Sequence, residues 1–231
     1  LSSYVLAVSN ISAEIADFLE ADFSIGDAER TKGRVSAVAL ADAEDGWLSS
    51  RFMKAAGKKD STPTSLFMRD FGLLEVNKTV CHEAEVGSAN GLSNGRGLAA
   101  MYSPLANDGR HNGREFISKS VINEMYIPST VSSEDQTLLV PIRFASGFML
   151  ATDNRKLEDA PNSSAILGQR AFGHVGAGGS VGFADPDCKM SFGYVMNKMG
   201  TGLMLNQRGQ SLVDAAYKSL GHSTTERGYW E

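Results

Sequence analysis

Several things are scarce in this sequence, and each scarcity excludes something. Two cysteines, Cys81 and Cys188, in 231 residues cannot build a disulfide framework or a thiolate metal site. A reduced pair suits an intracellular protein, which is the compartment this favours. No apolar run approaches the roughly 20 residues that cross a bilayer, so no membrane span is expected. Positive charge is also short: 22 Lys and Arg stand against 27 Asp and Glu, for a net charge of -5. Nucleic-acid binding wants a basic face, and no nucleic-acid partner is expected here. The small cluster of Lys54, Lys58 and Lys59 reads as solvated loop. The chain does not begin with Met and lacks the charged, apolar and small-residue succession of a signal peptide. It is expected to start inside a longer protein, with any address lying upstream.

What is present is an ordinary globular composition, 42% hydrophobic and 21% charged, with enough chain for one large domain. Ser12 to Leu19 reads as a short helix with Ile15, Phe18 and Leu19 on one face and Ser12 as its cap. Val35 to Leu40 fits either a strand or a buried helical turn. Asp42 to Asn77 holds no period and reads as irregular or short-helical cover. Leu98, Met101, Tyr102 and Leu105 recur at i, i+3, i+4 and i+7, which predicts a helix capped by Ser93 or Asn94 and stopped at Asn107-Asp108-Gly109. A shorter helix is expected from Ser118 to about Met125.

After Leu138 the pattern becomes that of strands: Leu139 to Phe144, Gly147 to Thr152 and Ala171 to Gly178. A hairpin follows over Ser180 to Asn197, turning at Asp185-Pro186-Asp187. A closing helix from about Asn206 to Leu220 would bury Leu212, Val213, Ala216, Tyr217 and Leu220. Met149, Met190, Met196 and Met199 read as core filling. Helices first, antiparallel strands next and a helix last make an α+β arrangement.

The densest glycine segment runs from Phe172 to Gly182, with His174 inside it. Glycine in a strand gives up packing, so its use there implies that something approaches the backbone closely. A nucleotide loop would need a Lys-Ser/Thr pair and a following helix, and Gly176-Ala177-Gly178-Gly179 has neither. Gly178-Gly179-Ser180-Val181-Gly182 matches the Gly-x-Ser-x-Gly nucleophile elbow, but the elbow leads into a helix and this segment leads into a strand and a turn. The third reading is a strand lining a cleft with His174 facing a substrate. The bland alternative is a core histidine satisfied by a backbone carbonyl. His82 and His111 sit in polar, turn-rich stretches without metal-ligand spacing, and no metal site is expected.

The run from Phe172 to Asn197 resembles the closing motif of the β-lactamase-like serine hydrolases, the group of class C β-lactamases, penicillin-binding DD-peptidases and family VIII carboxylesterases. The triplet His174-Val175-Gly176 stands where that group carries Lys-Thr-Gly or His-x-Gly. Gly-Gly-Ser, a Gly-Phe-Ala-Asp-Pro turn and Phe-Gly-Tyr-Val-Met-Asn follow it in order. Upstream, Asp22-Phe23-Ser24-Ile25-Gly26 and Ser88-Ala89-Asn90-Gly91-Leu92, with the helix after it, resemble further segments of the group. Ser88-Ala89-Asn90 also resembles the Ser-x-Asn element of class A β-lactamases, but here it reads as a cap on a turn.

The resemblance implies a β-lactamase/transpeptidase-like fold, present in part: antiparallel sheet strands with a C-terminal helix packed on them over 138–231, and part of a helical lobe with connecting segments over 1–137. It implies a serine acyl-enzyme mechanism on a small ester or amide, with no cofactor and no metal. The group's nucleophile is the Ser of Ser-x-x-Lys, with a Tyr as its partner in general base work. No serine in this chain is followed three residues later by lysine. The chain is therefore expected to lack the nucleophile and to be inactive alone. His174 would line the cleft and orient substrate or move a proton. The Ala177 N–H would serve as an oxyanion donor, and Val175, Gly176 and Gly178 would line the substrate. Val175 has no hydroxyl to hold a carboxylate, which favours a neutral ester. The rival reading is a non-catalytic scaffold or assembly protein.

Overall fold

The computed structural model describes residues 8–42, 51, 54–55, 58–62, 65, 76–160 and 162–231. The elements are α1 (Val8–Phe18), β1 (Phe23–Ser24), α2 (Ala28–Thr31), α3 (Thr79–Glu83), β2 (Leu92–Ser93), α4 (Gly95–Ala106), β3 (Arg110–His111), β4 (Arg114–Glu115) and α5 (Lys119–Glu124). After them come β5 (Thr130–Ser132), β6 (Ile142–Phe144), β7 (Met149–Leu150), β8 (Phe172–Val175), β9 (Val181–Asp185), β10 (Met190–Tyr194) and α6 (Gln207–Ser219).

Strands β5 to β10 form one antiparallel sheet in the order β10-β9-β8-β7-β6-β5. Each strand pairs with its neighbour in sequence, and the longest connection, from Leu150 to Phe172, contributes Ala165, Ile166 and Leu167 to the core. Phe183 and Val181 of β9 point with Val175 of β8 into the main core, where Val213 and Tyr217 of α6 meet them. Phe172 and Ala184 point to the other face, into a cluster with Leu105 and Ala106 of α4. The sheet is thus a middle layer between two helices, and strand alternation divides its side chains between them.

Helix α4 lies close to the sheet because glycine faces it. A Cβ on Gly182 would stand 2.5 Å from Tyr102 Cε2, and one on Gly193 would stand 2.6 Å from the Ala99 nitrogen. These two glycines are register partners across β9 and β10, so they leave one continuous strip for the helix backbone. Asn94 caps α4, its side chain accepting from Gly97 N at 2.8 Å, and Asn107 ends it. The expected turn at Ser88-Ala89-Asn90 is present, with the Asn90 side chain donating to Ala84 O at 3.0 Å.

Other expectations need correction. Helix α1 begins at Val8, so Ser12 lies inside it and its hydroxyl bonds back to Ser9 O at 2.9 Å. Val35 to Leu40 forms neither a strand nor a helical turn; only Ala39 makes a bridge, to Lys198, and Val35 is exposed. Most of the Asp42 to Asn77 segment lies outside the described residues. Helix α6 buries Gly209, Val213 and Tyr217, a narrow i, i+4, i+8 stripe, and leaves Leu212 and Leu220 exposed. The sheet also begins at Thr130, ahead of the expected boundary at 138, because β5 pairs with β6.

Candidate functional site

Strands β8 and β9 are joined by a five-residue turn, Gly176 to Ser180, and the turn sits against the approach to α6. Val175 and Val181 form the last register pair. Gly176 N then donates to Ser180 O at 2.8 Å and Gly179 N to Gly176 O at 3.0 Å. Gly178 and Gly179 have φ of 86° and 101°, a region that L side chains rarely enter, which is why this turn needs glycine twice.

The turn is also tied from outside. Gly178 N donates to Gly202 O at 3.2 Å, and Gly178 O accepts from Gly200 N at 2.9 Å. The buried Asn206 side chain completes the anchor. Its Nδ2 donates to Gly178 O at 2.8 Å while its Oδ1 accepts from Gly209 N at 3.1 Å, capping α6. One amide therefore fixes both the turn and the first turn of the helix, and Gly179 and Gly200 leave it room. Sequence reading placed Asn206 at a helix start; its second bond depends on a contact 28 residues away.

Against this frame, the expected site residues divide. His174 is exposed on the α4 face of the sheet, opposite Gly182 in register. Its Nδ1 lies 2.6 Å from Val175 O. A carbonyl only accepts, so Nδ1 carries the proton and Nε2 of the neutral ring is the free acceptor. The ring of Phe144 lies 6.1 Å away, and Phe148 and Phe172 meet edge to face at 5.1 Å on the same side of the sheet. His174 is thus not the buried core histidine of the bland reading.

Ala177 is half-buried at the tip of the turn. Its N–H donates to no acceptor among the described residues, while those of Gly176, Gly178 and Gly179 all donate internally. The remaining three, expected to line a substrate, lie at the end of β8 and in the turn. Val175 is 6% exposed and packs in the main core, because β8 alternates it away from His174. Its missing hydroxyl therefore says nothing about a substrate's charge. Gly176 lies beyond the strand, and its absent Cβ makes room for Ser180 Oγ rather than for a ligand. Gly178 is buried against Met199, with both its backbone polar groups bonded.

Ser180 leads straight into β9 and no helix follows it, so the Gly-x-Ser-x-Gly match lacks the strand-turn-helix geometry of an elbow. A tyrosine that sequence reading took for helix packing, Tyr102, stands over Gly182 beside the site. Burial pushes its phenol up to about 12, so it stays protonated near neutrality and cannot serve there as a phenolate base. Among the described residues, no group of three or more His, Cys, Asp and Glu could hold a metal ion.

The family model described as Beta-lactamase matches residues 19–216. The chain belongs to this family. It is 32% identical over 123 residues to Esterase/beta-lactamase LipL of Mycobacterium tuberculosis (strain ATCC 25618 / H37Rv), a match covering 53% of this chain and 26% of the relative. Among solved structures, a family VIII carboxylesterase is 32% identical with a TM-score of 0.60, covering 85% of this chain and 47% of that one. A penicillin-binding protein homologue from Caulobacter crescentus is 29% identical with a TM-score of 0.64, over 89% and 50%. EstA from Arthrobacter nitroguajacolicus Rue61a shares the fold, with 22% identity and a TM-score of 0.67 over 91% and 52%. The chain thus spans about a quarter of the first relative and about half of the solved ones. These neighbours and the sheet with its C-terminal helix make the fold β-lactamase/transpeptidase-like, of mixed α+β class. Among the described residues no helix is long and apolar enough to cross a membrane.

Proposed function

We propose that this β-lactamase family chain supplies one wall of a serine-hydrolase cleft that cleaves a small ester or amide through an acyl-enzyme. The observation that carries the reading is the Ala177 N–H, which has no acceptor among the described residues and sits on a turn fixed from both sides. Such a donor can take the oxygen of a tetrahedral intermediate, a role worth about 3 kcal/mol where one has been removed. His174, three residues before it, offers Nε2 to a substrate or leaving group. Relatives named esterase/β-lactamase and carboxylesterase favour an ester as the substrate.

The nucleophile would come from outside these 231 residues, since none of their serines belongs to a Ser-x-x-Lys sequence. On this reading the chain divides into a lobe ahead of Thr130 and a sheet-and-helix unit from Thr130 onward. The alternative is a scaffold of this fold without turnover, which absence of Ser-x-x-Lys from the upstream sequence of the parent protein would support.

Two measurements test the proposal. A fluorophosphonate probe should leave the intact mass of the 231-residue chain unchanged; a stoichiometric adduct on Ser180 or any other serine overturns it. In a protein joining this chain to a Ser-x-x-Lys segment, His174→Ala should lower kcat/KM for a short-chain ester by about 10²–10⁴-fold. Ser180→Ala should change it little. The reverse pattern would make Ser180 the nucleophile, and no ester turnover by such a protein would favour the scaffold.

A further inference from the structure

A second concave site lies beside β6 and the C-terminal residues. Val131, Ser133, Arg143, Asp153, Arg227 and Tyr229 line a groove of about 460 Å³. Arg143 is on β6, two strands from β8.

The groove presents donors that its own residues do not use. Arg143 Nη1 donates to Ala151 O at 3.0 Å and to the Tyr229 hydroxyl at 2.6 Å. Its Nε and Nη2 have no acceptor among the described residues. Tyr229 accepts from Arg143, so its own hydroxyl proton is left to give. Arg227 is exposed and makes no ion pair or hydrogen bond among the described residues.

The carboxylate in the lining is already committed. Asp153 accepts from Arg155 Nε at 2.8 Å and Nη2 at 2.7 Å. That bond holds its carboxyl below the usual range. The chain end is built to hold Arg227 here. Thr225 N donates to Tyr229 O at 2.7 Å and Gly228 N to Thr225 O at 3.0 Å, which closes a tight turn. Gly228, with φ of 76°, is pressed so closely on Asp153 that a Cβ would stand 2.5 Å from Oδ2. Two arginines, a tyrosine and a serine line one groove, in a chain whose net charge is -5.

We infer that this groove is an anion site that binds a small molecule through a carboxylate or phosphate group. Guanidinium edges suit planar or tetrahedral oxyanions, and charge-assisted bonds of this kind are about twice as strong as neutral ones. Its lining includes neither His174 nor any residue of the turn from Gly176 to Ser180, and it does not depend on the activity proposed there.

Isothermal titration of the purified protein with inorganic phosphate and, separately, succinate tests this, with chloride holding ionic strength constant. At least one should bind saturably with a Kd below about 10 mM. Phosphate alone would identify a phosphate ligand and succinate alone a carboxylate. Arg227→Gln should weaken binding about tenfold or more without moving the melting temperature of the unliganded protein, and Tyr229→Phe should weaken it severalfold. Arg96→Gln, which removes an equal exposed charge on α4, should leave affinity unchanged. No saturable binding of either anion, or equal losses from Arg227→Gln and Arg96→Gln, overturns the inference.

Discussion

Replacing Tyr217 with Phe removes one oxygen from the centre of the main core and leaves the ring in place. That oxygen donates to Asp185 Oδ2 at 2.6 Å and accepts from Gly168 N at 2.8 Å, and Asp185 is 2% exposed. Burial, and then the Asp185 carboxylate, push the phenol well above its ordinary value, so the proton stays on Tyr217. The ring itself stacks on Trp230 at 5.4 Å and on Phe183 at 6.1 Å, contacts that Phe keeps. The change therefore isolates two bonds. A hydrogen bond to a charged group contributes about 1.5–3 kcal/mol, and a buried N–H left without an acceptor costs about 1–3 kcal/mol. Relaxation around the site recovers part of this, so the expected loss is about 3 kcal/mol. For a chain of this size that lowers Tm by about 6–12 °C. Urea denaturation followed by tryptophan fluorescence reads it directly, because Trp230 reports on the same stack. A loss below about 0.5 kcal/mol would mean that Asp185 and Gly168 have other partners or water, and would refute the reasoning.

Gly182→Val places carbon 2.5 Å from Tyr102 Cε2 and 2.9 Å from Leu98 Cγ, so α4 must lift from the sheet. It should cost about 1–3 kcal/mol or more by thermal melting; an unchanged Tm would show that the helix contact is loose. Asn206→Ala removes both the α6 cap and the bond to Gly178 O, and should destabilise by about 2–4 kcal/mol. Amide exchange should quicken at both Gly178 and Gly209, and quickening at the helix alone would refute the shared anchor. Cys188 is raised from 9.0 to about 12 by burial and then by Asp185. Its thiolate is then scarce near pH 8, and iodoacetamide should leave it unlabelled while a free model thiol is consumed. The folded state holds this proton more tightly than the unfolded one. Its contribution is therefore complete below about pH 9 and falls away as pH rises toward 12. Prompt labelling of folded protein by mass spectrometry would contradict this.

What could be read from the sequence was whatever is local. Helix α4 was visible from Leu98, Met101, Tyr102 and Leu105, and its cap from Asn94, because period and capping act within four residues. The β9–β10 hairpin was visible from Asp185-Pro186-Asp187 between two apolar runs. What escaped was set by partners distant in sequence. Thr130–Ser132 carries no strand pattern of its own and becomes a strand only by pairing with Ile142–Phe144. Leu212 and Leu220 have the right spacing for the core, yet the stripe that meets the sheet runs through Val213 and Tyr217, and the two leucines fall beside it. Val175 failed as a site residue for a related reason. The motif marks three consecutive positions, but strand alternation turns the middle one inward.

The glycine-rich segment shows how far such a signal reaches. Its density argued that something comes close to this backbone, and that much is true. What comes close is mostly the protein's own chain: Phe183 at Gly173, Ser180 Oγ at Gly176, Met199 at Gly178 and the Asn206 amide at Gly179. On the proposed reading this packing would serve the site indirectly. Gly176, Gly178 and Gly179 have their N–H groups bonded within the protein, which holds the peptide at Ala177 in place, and its N–H has no acceptor among the described residues. A donor held in this way needs no reorganisation when charge develops in front of it, and electrostatic stabilisation draws its strength from that condition. The glycines thus fix the turn around one ordinary peptide N–H, and on the proposed reading the functional weight would fall on the backbone of Ala177 rather than on any side chain of the run.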